Sequence, residues 1–202
     1  GIRKQFGNIL FAEASYFDFR MKDAIVRRQN ERGQEFFVNA GETVQKGVEA
    51  LLETRRFTLP NSFFNDVKFR ISGSFYNFKF ENYRQNNSDF SGNDVTGVPR
   101  TTVNSVLSFS LFKKLGVDYS QYYTSKIPLN DANTVWSESS FVGNLQFKYP
   151  FTIQNSQVNF FLQIQNIFNE EYVLGFDINA FGNRFYNPAA KRNFVFGVKA
   201  DF

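Results

Sequence analysis

Apolar and polar residues alternate with a period of two along most of this chain. Val67, Phe69, Ile71, Gly73 and Phe75 interleave with Lys68, Arg70, Ser72, Ser74 and Tyr76. Val103, Ser105, Leu107, Phe109 and Leu111 interleave with Asn104, Val106, Ser108 and Ser110. The same rhythm runs through residues 115–120, 140–148 and 158–165. It returns in the closing run 194–202, where Phe194, Phe196, Val198, Ala200 and Phe202 share one parity. Successive side chains of a strand point to opposite faces, so each segment predicts a β-strand with one apolar and one polar face. Residues 9–19 and 43–54 alternate less cleanly and predict two more strands. Gly1, Ile2 and Arg3 read as the tail of a preceding strand, with a turn through residues 5–8.

The connections sort by length. Backwards from the last strand they run long (166–193), short (149–157), long (124–139), very short (112–114), long (81–100), middling (53–66) and long (from 20 to about 42). This order suits antiparallel strands that cross a membrane, with brief turns on one side and extended loops on the other. The segments are close to the length a tilted membrane strand needs. The predicted fold is all-β, an antiparallel transmembrane β-barrel segment of about eight strands. Residues 1–202 read as one unit without a linker. The stretch 85–94, rich in Asn, Ser, Asp and Gly, is a surface loop. Tyr119, Tyr122, Tyr123, Tyr149 and Phe151 fall near predicted strand ends, where an aromatic girdle meets lipid head groups. Ordinary strand propensity accounts for each of them singly.

Composition agrees. Aromatic residues make up 19% of the chain, with 28 Phe, yet mean hydropathy is negative. A lipid-facing wall around a wet lumen produces that mixture. No run approaches the length of a spanning helix. The net charge of +4 is dispersed, with no basic stripe for nucleic acid. Cys and His are both absent, which removes disulfides, imidazole metal sites and the triads that need either residue. Glu170 and Glu171, the one adjacent carboxylate pair that stands out, read as loop residues. No enzyme, cofactor or metal site is expected.

Several motifs resemble one family. Residues 39–49 (Asn39, Gly41, then Gly47-Val48-Glu49) are similar to a segment of TonB-dependent outer-membrane receptors. Residues 89–94 followed by Gly97-Val98-Pro99-Arg100 resemble that family's loop leading into a strand. Residues 161–172, ending Asn166-Ile167-Phe168-Asn169-Glu170-Glu171-Tyr172, resemble its penultimate-strand signature, and residues 187–194 its entry to the last strand. The resemblance implies the C-terminal portion of a larger plugged barrel, roughly a third of it, with the plug domain lying outside residues 1–202. The start at Gly1 without Met reads as a processed or excised chain.

The same resemblance implies a receptor in the cell outer membrane for energised uptake of a scarce nutrient, a ferric siderophore or similar metal chelate. Its implied partners are outer-membrane lipid, the rest of the same barrel, an extracellular small-molecule ligand, TonB acting through the plug region, and the barrel-assembly machinery. The assembly machinery would read the last strand, where Gly197, Ala200 and Phe202 match the signal and Val195 stands where a polar residue is usual. Candidate ligand-binding residues are Tyr83, Arg84, Trp136, Arg184 and Tyr186, since Arg forks onto oxygen anions and aromatic rings stack on planar groups. Lys68, Arg70 and Lys148 favour an anionic cargo unless carboxylates on neighbouring strands pair with them. Two other readings compete: a self-contained small barrel acting as pore or anchor, and a soluble β-sandwich.

Overall fold

The computed structural model describes residues 1–39, 41–59, 62–85, 87–153 and 156–201. In chain order its strands are β1 (Ile2–Phe6), β2 (Leu10–Lys22), β3 (Ile25–Gln29), β4 (Glu35–Asn39), β5 (Glu42–Thr54), β6 (Phe64–Glu81), β7 (Arg84–Gln85) and β8 (Ser88–Asp89). They continue with β9 (Thr101–Leu111), β10 (Leu115–Thr124), β11 (Ser140–Ile153), β12 (Ser156–Gln165), β13 (Val173–Phe176), β14 (Tyr186–Pro188) and β15 (Asn193–Asp201). Nine of them form one antiparallel meander in the order β1-β2-β5-β6-β9-β10-β11-β12-β15. The remaining six form three hairpins, β3–β4, β7–β8 and β13–β14, each set within a long connection of the meander.

Parity follows the register. Phe69 pairs with Leu107, Leu107 with Tyr119, Tyr119 with Leu145, Leu145 with Ile164 and Ile164 with Phe194. This row and its neighbours share the apolar face. No second sheet packs on it among the described residues: Phe196 is 84% exposed and Leu162 39%. A sandwich would bury these side chains, so the soluble reading fails. β1 and β15 are the sheet's two edges and do not pair with each other, so the self-contained small barrel is not formed either.

The wall has nine strands where about eight were expected. The added strand is β1, which continues to Phe6 because Gln5 and Phe6 pair with Phe11 and Leu10. Its turn is therefore Gly7–Ile9, with Gly7 at φ 55°. β11 continues past Lys148 through Tyr149, Pro150 and Phe151 to Ile153, whose partner is Ser156. Lys113 and Phe112 in the shortest turn both take left-handed backbone, at φ 61° and 52°.

β2, β5 and β6 alternate imperfectly because their pattern inverts partway up. Tyr16, Val48 and Phe75, mutual partners, form the last apolar row on the outward face. The next rows on that face are Asp18, Lys46 and Asn77, then Arg20, Val44 and Lys79, then Lys22, Glu42 and Glu81. Lys46 meets Asp18 at 2.9 Å and Arg20 meets Glu81 at 3.4 Å. On the opposite face at this level stand Phe17, Phe19, Tyr76 and Phe78. The strands thus outrun the hydrocarbon layer. Where water replaces lipid outside, the period-2 signal changes sign.

Candidate ligand pocket at the loop end of the wall

The long connections fold together. Asp131, buried between β10 and β11, is their hub: Tyr83 Oη donates to its Oδ2 at 3.0 Å, while Thr96 Oγ1 and Asn179 Nδ2 donate to Oδ1 at 2.5 and 3.0 Å. Asn93 Nδ2 also donates to its carbonyl at 2.8 Å. Three separate connections therefore meet at Asp131, and a fourth joins through Asn179, whose Nδ2 also reaches the carbonyl of Arg27 in β3 at 3.2 Å. Nearby, Asp94 is held by Lys79 at 2.5 Å and by Arg100 at 2.6 Å. Buried carboxylates are stable only with such donors around them. Two apolar clusters fill the space between: Ala24, Phe80 and Tyr83 with Phe90 and Val95, and Ile127, Leu129 and Phe185 with Val135 and Phe176.

A second device closes β12. Asn166 is buried, with its side chain donating to the carbonyl of Glu170 and accepting from the Glu170 N–H, both at 2.8 Å. Its own N–H donates to Asn144 Oδ1 at 3.0 Å. This clip turns Phe168 outward onto Phe141, with ring centroids 5.5 Å apart, over Gly143. It turns Tyr172 the other way, where its carbonyl accepts the Ala189 N–H and closes the base of the β13–β14 hairpin.

Beneath that hairpin lies a pocket of about 850 Å³. Its floor is the inward face of β9–β11: Thr102, Tyr122, Thr124, Ser140, Val142 and Asn144. Its roof is the hairpin, with Tyr172, Phe176 and Tyr186, and one side is Ser137–Ser139. The volume suits a small organic ligand, and the mixed aromatic and hydroxyl lining suits stacking and hydrogen bonding. At the rim, Lys191 donates to Glu171 Oε1 at 2.6 Å, which holds the Glu171 carboxyl below its ordinary value. In the β7–β8 hairpin the Ser91 hydrogen bonds, and then Arg84, lower Asp89 likewise. No group of three acidic residues gathers to hold a bare metal ion among the described residues.

Of the five candidate ligand residues, only Tyr186 lines this pocket. Tyr83 is buried between Phe80 and Phe90 and spends its hydroxyl on Asp131. Arg84 is exposed and paired with Asp89 at 2.9 Å. Trp136 is half-buried and donates from Nε1 to the Asn133 carbonyl at 2.8 Å. Arg184 is exposed just after the short turn Phe181–Asn183. Tyr122 and Asn144 were missed as pocket residues. Parity was the available signal, because Tyr122 lies one residue from outward Tyr123 and so faces the lumen. Tyr122 therefore does not face lipid as a girdle residue would, whereas Tyr123, Tyr149 and Phe151 have outward parity. Tyr119, also outward, sits halfway along β10.

Lys68 and Arg70 lie 2.6 and 3.5 Å from Glu53, and Lys148 lies 2.6 Å from Asp118. These three inward cations are thus each paired with a carboxylate across strands. In the last strand, Gly197 faces the lumen beneath Phe161 and Ala200 faces outward opposite Val158. Phe202 lies outside the described residues.

One continuous antiparallel sheet, apolar outside and polar within, with short turns at one end and interlocked loops at the other, is the wall of an outer-membrane β-barrel. The family described as TonB dependent receptor-like, beta-barrel, matches residues 1–167. The chain belongs to that family of outer-membrane receptors, which are not enzymes. Its structure is similar to the ferric citrate transporter FecA in unliganded form (TM-score 0.72, 18% identity, 98% of this chain and 30% of that one). It is also similar to BauA, the ferric preacinetobactin receptor of Acinetobacter baumannii (0.70, 17%, 99% and 28%). A third is FyuA, the ferric yersiniabactin uptake receptor of Yersinia pestis (0.69, 17%, 98% and 28%). The chain spans under a third of each.

Proposed function

We propose that this chain forms the C-terminal part of a receptor that takes up a ferric siderophore or similar metal chelate, energised by TonB through a plug region outside residues 1–202. The supporting observation is the pocket under the β13–β14 hairpin, on the lumen side of the wall and at its loop end. A ligand arriving from outside meets this surface first. The loops fixed on Asp131 and Asn166 hold its walls in place, so little ordering entropy remains to be lost on binding. Among the described residues no cluster gathers to hold a bare metal ion, which fits a cargo that brings its own chelator. Outer-membrane lipid, the rest of the barrel and the barrel-assembly machinery complete the set of partners, with Gly197, Ala200 and Phe202 as the assembly signal.

The test is iron-limited growth of a strain that lacks the receptor and carries the full-length gene in wild-type or variant form. Tyr122→Ala and Tyr186→Ala should abolish growth on the cognate ferric complex while leaving receptor abundance in the outer membrane unchanged. Growth that is unaffected by both variants, or uptake that persists without TonB, contradicts the proposal.

A further inference from the structure

We infer that the ligand surface received by this pocket carries no net charge, so that the cargo is a neutral ferric complex of the trihydroxamate kind rather than an anionic one. The inference rests on the ferric-chelate reading above and narrows it.

The pocket's lining holds two carboxylates, Glu138 and Glu171, and no Lys or Arg. The other polar side chains of the lining are uncharged, among them the hydroxyls of Tyr122, Tyr186, Ser139 and Ser140 and the amide of Asn144. The two lining carboxylates each face a lysine, Glu171 with Lys191 at 2.6 Å and Glu138 with Lys126 at 3.8 Å.

The lumen wall below repeats the theme. Arg3 lies 2.7 Å from Glu13, Lys68 lies 2.6 Å from Glu53, and Lys148 lies 2.6 Å from Asp118. Lys199 stands near the far end of β15, away from the pocket. Recognition of a multiply charged anion relies on Arg or Lys forks whose charge is free to meet it. An uncharged complex, by contrast, needs no such fork and gains from stacking on Tyr122 and Tyr186 and from hydroxyl and amide hydrogen bonds.

The experiment is equilibrium binding to the purified full-length receptor. The probes are a neutral ferric trihydroxamate and a trianionic ferric tris-catecholate, each at low and high ionic strength. The neutral probe should bind at least about tenfold tighter, with affinity changing less than about twofold across the salt range. Ser139→Lys, an exposed substitution that puts a cation at the pocket wall, should raise affinity for the trianion several-fold relative to the neutral probe, and the gain should disappear at high salt. Tighter binding of the trianion with a steep loss in salt overturns the inference while the ferric-chelate function stands. Failure of the receptor to bind either complex overturns both.

Discussion

The ring of Phe161 lies over Gly197, its direct partner across the β12–β15 ladder, so closely that a Cβ on residue 197 would stand 2.5 Å from the ring's Cζ. The glycine is the seat on which an aromatic side chain lies flat against the lumen wall. Gly47 repeats the arrangement under Phe17 and Tyr76, at 2.6 and 2.7 Å. An aromatic ring that covers a strand glycine repairs the packing the glycine leaves out. Gly197→Ala should therefore displace the ring and lower stability by about 1 kcal/mol. Phe161→Ala combined with Gly197→Ala should cost less than the sum of the two single changes. Heat-modifiable gel mobility of the folded receptor reads both, and strict additivity would show that the ring and the glycine are independent.

The two faces of the wall differ in their tolerance of charge. Phe109→Arg and Leu162→Arg each place a cation in hydrocarbon and should cost ~2–4 kcal/mol near the bilayer midplane. Ser108→Arg places one in the lumen, near Lys68 and Asp118, and should cost well under that. Yield of folded receptor in the outer membrane distinguishes them.

Removing Asp131 should loosen the loops and spare the wall. Asp131→Ala strips an acceptor from Tyr83, Thr96 and Asn179, and each buried donor left without a partner costs roughly 1–3 kcal/mol. Protease sensitivity and hydrogen exchange should rise in residues 82–100, 125–139 and 177–181. The thermal transition of the strands should stay in place, because none of their ladder bonds passes through Asp131.

How much of this was legible from the amino-acid order depends on the solvent each residue meets. Phe109, Leu162 and Phe196 are readable because lipid on one side and water on the other impose strict parity. β2 and β5 blur where the outside turns aqueous, so that Asp18 and Lys46 take outward positions while Phe17 and Phe19 turn inward. Lys68 and Lys148 could be assigned to the lumen but not to their partners, because pairing needs register as well as parity. Asp131 was invisible: one loop aspartate among many becomes a hub only when distant connections converge on it. Tyr83 looked like an exposed loop aromatic for the same reason. Asn166 was noticed as part of a motif, and its clip to Glu170 explains why the motif has that form.

The rim of the pocket should respond to acid. Glu171 is held below its ordinary value by Lys191, so the pair stabilises the folded loop above the ordinary glutamate range. That contribution is lost as pH falls through the depressed folded value. A nitroxide at exposed Leu174, on the β13–β14 hairpin, should become more mobile as the medium is acidified into that window. In Lys191→Gln the pair is absent, so the nitroxide should already be mobile at neutral pH and change little on acidification. An identical profile in both proteins would show that the pair does not anchor the hairpin.

The central claim is that one face of this single sheet meets hydrocarbon and the other an aqueous lumen. Nitroxides placed one at a time at Phe160, Phe161, Leu162 and Gln163 of the full-length receptor in native lipid test it directly. Collisions with dissolved oxygen should peak at Phe160 and Leu162, and collisions with a water-soluble nickel chelate at Phe161 and Gln163. Equal accessibility to both reagents at neighbouring positions, or peaks of opposite parity, would contradict the account.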